Sequence, residues 1–412
     1  MKRLTLTAIG LALICAGNAN AGGYQLNEFS TTGLGRAFAG AGVMDDDYSN
    51  LANNPAGMIL AKRSGMQIGY TAVEEYSKIK GIGANEGKAT KMHYPVSLPS
   101  AFGQWRVNDR MTLGAGFYVP FGLSTKHKSS SFIGNEARKS ELQVMDTALA
   151  GAYRVNNKLS LGATGIYRYI HGNMTSDVYH PLLARKIGHA DYDLDGWTFT
   201  GILGAVYEFT PDTRVGISYK FKSKQTVKGK YTFAVPMAGD PVYSDGRASP
   251  DLPASIIVSG YHQLNDKWGL SATARWTQWS VFDRFTMNSP SGEAAGTAGS
   301  WKQQYYDWHD TLTVALGADY KINDKWTWRF GGAYDPSPTK SAKNRTNRIP
   351  DVNRIWASTG FSYENGNWQI DGGFAHLFMH KGCTHNDFNT SVVEAEYSSR
   401  SNMYSLNLQY KF

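Results

Sequence analysis

Apolar and polar residues alternate with period two at the end of the chain. Tyr404, Leu406, Leu408, Tyr410 and Phe412 form one face; Met403, Ser405, Asn407, Gln409 and Lys411 form the other. The same alternation groups Met111, Leu113, Ala115, Phe117 and Val119, and again Val215, Ile217, Tyr219 and Phe221. Successive side chains of a strand point to opposite faces. An apolar face backed by a mostly polar one, closed by a terminal aromatic, predicts a strand with lipid on one side and a polar lumen on the other. A water-soluble sandwich alternates as well, so the argument rests on the ensemble of strands.

Short turn sequences punctuate these runs at Asn108-Asp109, Asn156-Asn157-Lys158, Thr210-Pro211-Asp212, Asn265-Asp266-Lys267, Asn323-Asp324-Lys325 and Glu364-Asn365-Gly366-Asn367. Each sits between two alternating stretches, as a tight hairpin requires. Longer polar segments lie between them, at about Ile79–Tyr94, Gly122–Lys139, Gly172–Asp195, Tyr231–Pro250, Met287–Lys302, Ser337–Asp351 and Lys381–Arg400. Six short turns and seven long loops predict fourteen strands, the even count expected of a barrel with short periplasmic turns and long outer loops. Closure is needed because lipid offers no partner for a free N–H or C=O. Trp105, Trp268, Trp326 and Trp368 fall within three residues of a turn, where an interfacial aromatic girdle belongs.

Composition agrees. Charged residues are only 18%, against about 25% in a typical soluble domain. Aromatics reach 13%, too many for a disordered chain. After the first ~16 residues no apolar run reaches the ~18–20 needed for a spanning helix. The start of the chain reads as an export signal: Lys2 and Arg3, an apolar stretch from Leu4 to Ala16, then Ala19-Asn20-Ala21, with cleavage expected after Ala21. Cleavage removes Cys15 and leaves Cys383 alone, so no intramolecular disulfide is expected. The chain thus divides into a signal peptide (1–21), a segment at 22–62 without a period-two run, and a barrel (63–412). The middle segment is too short to be a domain. A wide barrel that is not an open pore needs something in its lumen. We therefore expect 22–62 to be an N-terminal hatch, or plug. Its run Gly33-Leu34-Gly35-Arg36-Ala37-Phe38 has Phe38 where a dinucleotide fingerprint needs glycine, and no strand precedes it.

Tyr24-Gln25-Leu26-Asn27-Glu28-Phe29-Ser30, Gly33-Leu34-Gly35-Arg36-Ala37 and Asn54-Pro55-Ala56 resemble the hatch of the outer-membrane long-chain fatty acid transporter family. That family also holds hydrocarbon-uptake channels and an outer membrane protein P1 branch. Similar matches run through Tyr118-Val119-Pro120-Phe121-Gly122-Leu123-Ser124-Thr125, Leu252-Pro253, and Arg348-Ile349-Pro350-Asp351 with Arg354 and Trp356. The resemblance covers Gly22 to Phe412. It implies a fourteen-stranded barrel with a hatch, which takes hydrophobic molecules from outside and releases them sideways into the membrane.

Proline has no N–H for a ladder, so Pro120 weakens pairing, and Gly122 permits a bend. The resemblance implies a lateral opening at Pro120, Phe121 and Gly122; the strand ending there is the alternative. It also implies that Tyr24, Leu26 and Phe29 reach the ligand, although they could simply pack on the wall. Asn54, Pro55 and Ala56 would hold or gate the hatch. Parity in Leu159, Leu161, Ala163, Gly165, Tyr167 and Tyr169 turns Arg168 inward, to meet a ligand carboxylate or to balance Asp45, Asp46 or Asp47. Lys340, Lys343, Arg345 and Arg348 form a basic loop suited to lipopolysaccharide phosphates. His380, Cys383, His385 and Asp387 have metal-like spacing, but they fall in an outer loop and no metal or cofactor is expected. No zincin, nucleophile-elbow or phosphate-loop motif is present, so no enzyme is expected. The reading is a monomeric outer-membrane channel for passive uptake of hydrophobic molecules, long-chain fatty acids first. Uptake of aromatic hydrocarbons, a non-specific porin and a surface adhesin are the alternatives. Nucleic acid is not an expected partner.

Overall fold

The computed structural model describes residues 22–180, 185–235, 241–288, 301–385 and 393–412. The proposed signal peptide, residues 1–21, lies outside them.

Fourteen antiparallel strands close into a barrel. The first six are Gly65–Gly81, Ala89–Arg106, Met111–Lys126, Lys139–Arg154, Leu159–His180 and Arg185–Thr210. The seventh runs in pieces through Thr213–Lys220 and Val227–Ala234, and the eighth through Val242–Ala248 and Ser255–Gln263. Trp268–Thr277 with Arg284–Asn288 forms the ninth, and Trp301–Tyr305 with Thr311–Lys321 the tenth. Trp326–Asp335, Arg354–Asn365, Trp368–Met379 and Ala395–Lys411 complete the wall. Closure comes from the first strand pairing with the fourteenth, Gly65 opposite Lys411 through to Gly81 opposite Ala395.

The alternation predicts the two faces correctly. Tyr404, Leu406, Leu408 and Phe412 are exposed, whereas Met403, Ser405, Asn407 and Gln409 are buried. This is the inverse of a soluble protein, because lipid takes the apolar face and a filled lumen the polar one. Trp105, Trp326 and Trp368 point outward at the turn side, and Trp268 joins them against Tyr320. Val119 departs from the pattern, being 7% exposed. Several segments predicted as loops are strand instead. The fifth and sixth strands stay paired as far as His180 and Arg185, above the stretch predicted to end them at Gly172. Tyr231 and Ser244 pair within another predicted loop, and Met287 and Lys302 within a third. Strands that rise clear of lipid meet water outside, so polar residues there signal height rather than a loop.

Residues 22–62 lie inside the barrel. Three short helical turns organise them: Thr31–Gly35, Tyr48–Ala52 and Pro55–Leu60. Each begins at a residue suited to an N-cap. The Ser30 hydroxyl accepts from the Gly33 N–H at 2.9 Å, Asp47 from Ser49 at 2.8 Å and Asn54 from Ala56 at 3.1 Å. Lumen side chains then satisfy plug carbonyls: Thr71 bonds Glu28, Gln104 bonds Met58 and Thr164 bonds Leu51. Gly42 has φ +76, and a Cβ there would stand 2.4 Å from the Asn54 side chain.

Candidate functional site

The third strand carries the site. Its lower half pairs with the second strand only from Arg106–Thr112 to Ala101–Phe117. Beyond Phe117 it leaves the second strand, and pairing with the fourth slips between Tyr118 and Phe121. Residues 118–125 are all buried, so this length has lost its lipid face. Pro120 sits at the slip, where its missing N–H costs no ladder bond. The plug supplies a substitute partner. The Leu26 N–H donates to the Pro120 carbonyl at 2.8 Å, and the Gly122 N–H to the Tyr24 carbonyl at 3.0 Å. Gln25 and Phe121 thus form an isolated antiparallel bridge. A Cβ on Gly122 would lie 2.9 Å from Leu26. The alternative, that the strand ends at Pro120, does not hold: it continues to Lys126, displaced inward.

Tyr24 is buried in a nest of rings. Its centroid is 4.8 Å from Trp279, 5.5 Å from Phe282, 5.8 Å from Trp308 and 6.0 Å from Phe121. Beside it runs a narrow cavity, about 680 Å³ when its opening to solvent is counted in. Its walls are almost wholly apolar, including Leu123, Ile170, Phe285 and Ile349; one guanidinium, Arg348, reaches it, as does Glu141, whose carboxylate pairs with Lys139. Leu26 and Phe29 do not line it. Leu26 packs with Val96, Leu98 and Val119 behind the unpaired part of the second strand, and Phe29 packs on Phe102 and Tyr118.

Arg348 is 2% exposed and, among the described residues, donates only to neutral acceptors. These are Ser140 Oγ at 3.0 Å, Ser176 Oγ at 2.6 Å and the carbonyls of Lys139 and Glu136. Burial pulls its pKa below the ordinary arginine value. The segment bearing it folds down over the mouth of the barrel. Asn347 locks it there, its N–H donating to Glu136 Oε1 at 2.8 Å and its Oδ1 accepting from Tyr397 at 2.6 Å. Arg345 is likewise turned in, to the carbonyls of Asp351 and Cys383. The predicted basic loop is therefore corrected: Arg345 and Arg348 face the protein, not lipopolysaccharide. Arg348 was visible in the sequence only as part of Arg348-Ile349-Pro350-Asp351 and of the basic loop, and Asn347 and Glu136 carried no signal.

Arg168 points inward as its parity requires, but it meets neither a cavity nor a plug acid. It forks onto Asp146, directly opposite on the fourth strand, with both bonds at 2.7 Å. Lys220 Nζ lies 4.0 Å from the same carboxylate, so two cations share one acid beneath Phe121. The plug acids have other partners. Asp45 pairs with Arg214, Asp46 bridges Arg36 and Arg329, and Asp47 caps its helical turn.

Asn54 fastens the plug to the wall. Its amide donates to the carbonyls of Ala205 at 3.0 Å and Ile217 at 3.3 Å, on the sixth and seventh strands. Gly162 and Gly204, cross-strand neighbours, make room for Ala56 and Asn54. Among the described residues no three His, Cys, Asp or Glu side chains are arranged to hold a metal. His385 faces Glu394 at 3.4 Å, and Asp387 lies outside the described residues.

A closed barrel with polar lumen, lipid-facing apolar belt and N-terminal plug is an outer-membrane channel whose interior suits hydrophobic cargo. The family described as "Outer membrane protein transport protein (OMPP1/FadL/TodX)" matches residues 12–412, and the chain belongs to it. A 47 kDa outer membrane protein of Pasteurella multocida is 32% identical over 99% of this chain and 98% of its own. A long-chain fatty acid transport protein of Escherichia coli K12 is 27% identical over 98% of this chain and 97% of its own. The crystal structure of a Pseudomonas aeruginosa FadL homologue superimposes with TM-score 0.84, at 24% identity over 95% of this chain and 100% of that one. The family is one of transport channels for hydrophobic molecules in the outer membrane.

Proposed function

We propose that this channel takes up long-chain fatty acids passively, holds them in the cavity beside Tyr24, and releases them sideways at the third strand. The observation that carries this reading is an almost wholly apolar cavity reached by one guanidinium with only neutral partners. Each methylene moved out of water contributes about 0.8 kcal/mol. A carboxylate needs more than an apolar wall, and a charged hydrogen bond to Arg348 would be stronger than those it now makes to hydroxyls and carbonyls. Tyr24 walls the cavity. Leu26 and Phe29 line the way from it to the wall, where Pro120, Phe121 and Gly122 leave the second strand. A ligand leaving there enters lipid without crossing water. Asn54, Pro55 and Ala56 serve in this scheme as the fixed end of the plug. The Escherichia coli relative, named for long-chain fatty acids, supports this choice of ligand. A monoaromatic hydrocarbon would have no use for the cation.

The test is titration of the purified barrel in detergent with oleate and with toluene, reading the fluorescence of Trp279 and Trp308. Oleate is expected to saturate, and Arg348→Ala to weaken it about tenfold or more, the equivalent of ~1.4 kcal/mol. Oleate binding unchanged in that variant would remove the guanidinium from the scheme. Saturation by toluene alone would assign the channel to hydrocarbons.

A further inference from the structure

Outside the barrel, above the lipid-facing belt, three cations stand together on the second, first and fourteenth strands. Lys78 is directly opposite Lys91, and one step lower Tyr76 lies between His93 and Arg400. The Tyr76 ring stacks on His93 at 4.2 Å, and the Arg400 guanidinium carbon is 5.4 Å from its centroid. They line an open recess. Among the described residues, Lys78, Lys91 and Arg400 make no ion pair. Glu396 is taken by Lys381, and Glu74 accepts the Tyr76 hydroxyl. Like charges directly opposite in a sheet are destabilising, so this arrangement calls for an anion between them.

Height and direction identify the anion. On the first strand these residues share the outward face with Met66, Ile68 and Tyr70, which face lipid. Lys78 is twelve residues beyond Met66, roughly 40 Å along the strand. At a tilt of about 40° that is roughly 30 Å along the membrane normal, just above an apolar band about 25 Å tall. Headgroup phosphates lie at that level. Lower on the same outer face, Phe361 folds over Gly372, and Trp328, Phe374, Tyr404 and Leu406 border an open apolar trough. We propose that this surface binds a phosphorylated glycolipid of the outer leaflet. Lys78, Lys91 and Arg400 hold its phosphate, and an acyl chain lies in the trough. A soluble phosphate could use the cations but not the trough.

Native mass spectrometry of the full barrel in detergent tests this, with bisphosphorylated lipid A, its dephosphorylated form and phosphatidylglycerol as probes. One bisphosphorylated lipid A should be retained. The combined Lys78→Gln, Lys91→Gln and Arg400→Gln variant should hold it at least tenfold more weakly, while a Lys128→Gln, Lys340→Gln control holds it fully. Equal retention of the dephosphorylated form or of phosphatidylglycerol would overturn the proposal, as would undiminished binding by the triple variant. Lys91→Glu gives Lys78 a partner and so keeps the sheet paired. Its heat-modifiable gel mobility should be normal and its lipid A retention reduced; full retention in this folded variant would equally overturn the proposal.

Discussion

His127 shows how much one buried side chain decides at the mouth of the barrel. It lies in the segment joining the third and fourth strands, 3% exposed, with Nε2 3.5 Å from the Asn347 carbonyl and Nδ1 without a partner among the described residues. Burial, with the positive Arg138 and Arg348 nearby, pulls its pKa down to about 4. The opened segment would bind a proton near pH 6.5, so the closed form is fully favoured above that value. Its advantage falls as pH drops from 6.5 toward 4, by about 2 kcal/mol at pH 5. Glu136 acts in the opposite sense, because burial raises its carboxyl. His127→Gln separates the two. Hydrogen exchange of residues 127–138, corrected for intrinsic rate, should show faster opening at pH 5 than at pH 7 in the parent and much less change in the variant. The same pH response in both would assign it elsewhere. Such residues explain what the sequence could and could not reveal. Arg168 was legible as inward-facing because parity along one strand sets direction. Its partner Asp146 was not, because register between strands is a tertiary property. Arg348 was read as a surface cation, since nothing local shows that Asn347 and Glu136 draw its segment inward.

At the scale of elements, legibility followed how local the cause is. Four of the six short turns were readable because an Asn side chain bonds its own backbone: Asn108, Asn156, Asn265 and Asn323 each accept from the N–H two residues on. The outer strand ends were not, because polar composition above the membrane suits strand and loop alike. The plug's helical turns follow from their capping residues, and this allows a prediction. Asn54 has two tasks, capping Pro55–Leu60 through its carbonyl oxygen and bonding two wall carbonyls through its amide. Asn54→Ala loses both. Losing the cap alone costs about 1 kcal/mol, and the two wall bonds each add about as much. Asn54→Asp keeps the cap but turns a carboxylate toward two carbonyls. Plug amides between residues 40 and 62 should therefore exchange at least tenfold faster in both variants, with the aspartate no better than the alanine. The barrel itself should keep its heat-modifiable mobility. An aspartate that protects as well as asparagine would show that the cap, and not the wall contact, holds the plug.

For the molecule as a whole, the question is whether cavity, plug and open wall work as one device. They meet at a single bridge, where Gln25 of the plug lies opposite Phe121 of the displaced third strand. The flanking bonds run from Leu26 to Pro120 and from Gly122 to Tyr24, so the bridged residues themselves exchange none. Such non-hydrogen-bonded pairs bring Cα atoms to about 4.5 Å, within the range a disulfide spans. Cysteines at both positions, in a Cys383→Ser background, should therefore cross-link with little distortion. If ligand leaves by displacing this segment, the oxidised protein should bind oleate yet fail to deliver it to vesicles, and reductant should restore delivery. Each single cysteine should be indifferent to reductant, which separates the lock from loss of the Phe121 ring. Delivery unaffected by the cross-link would mean that the plug's first residues are a fixed wall. The exit would then have to lie above them, between the free edge of the second strand and Lys126, whose ammonium now stands 5.9 Å from the Tyr94 ring.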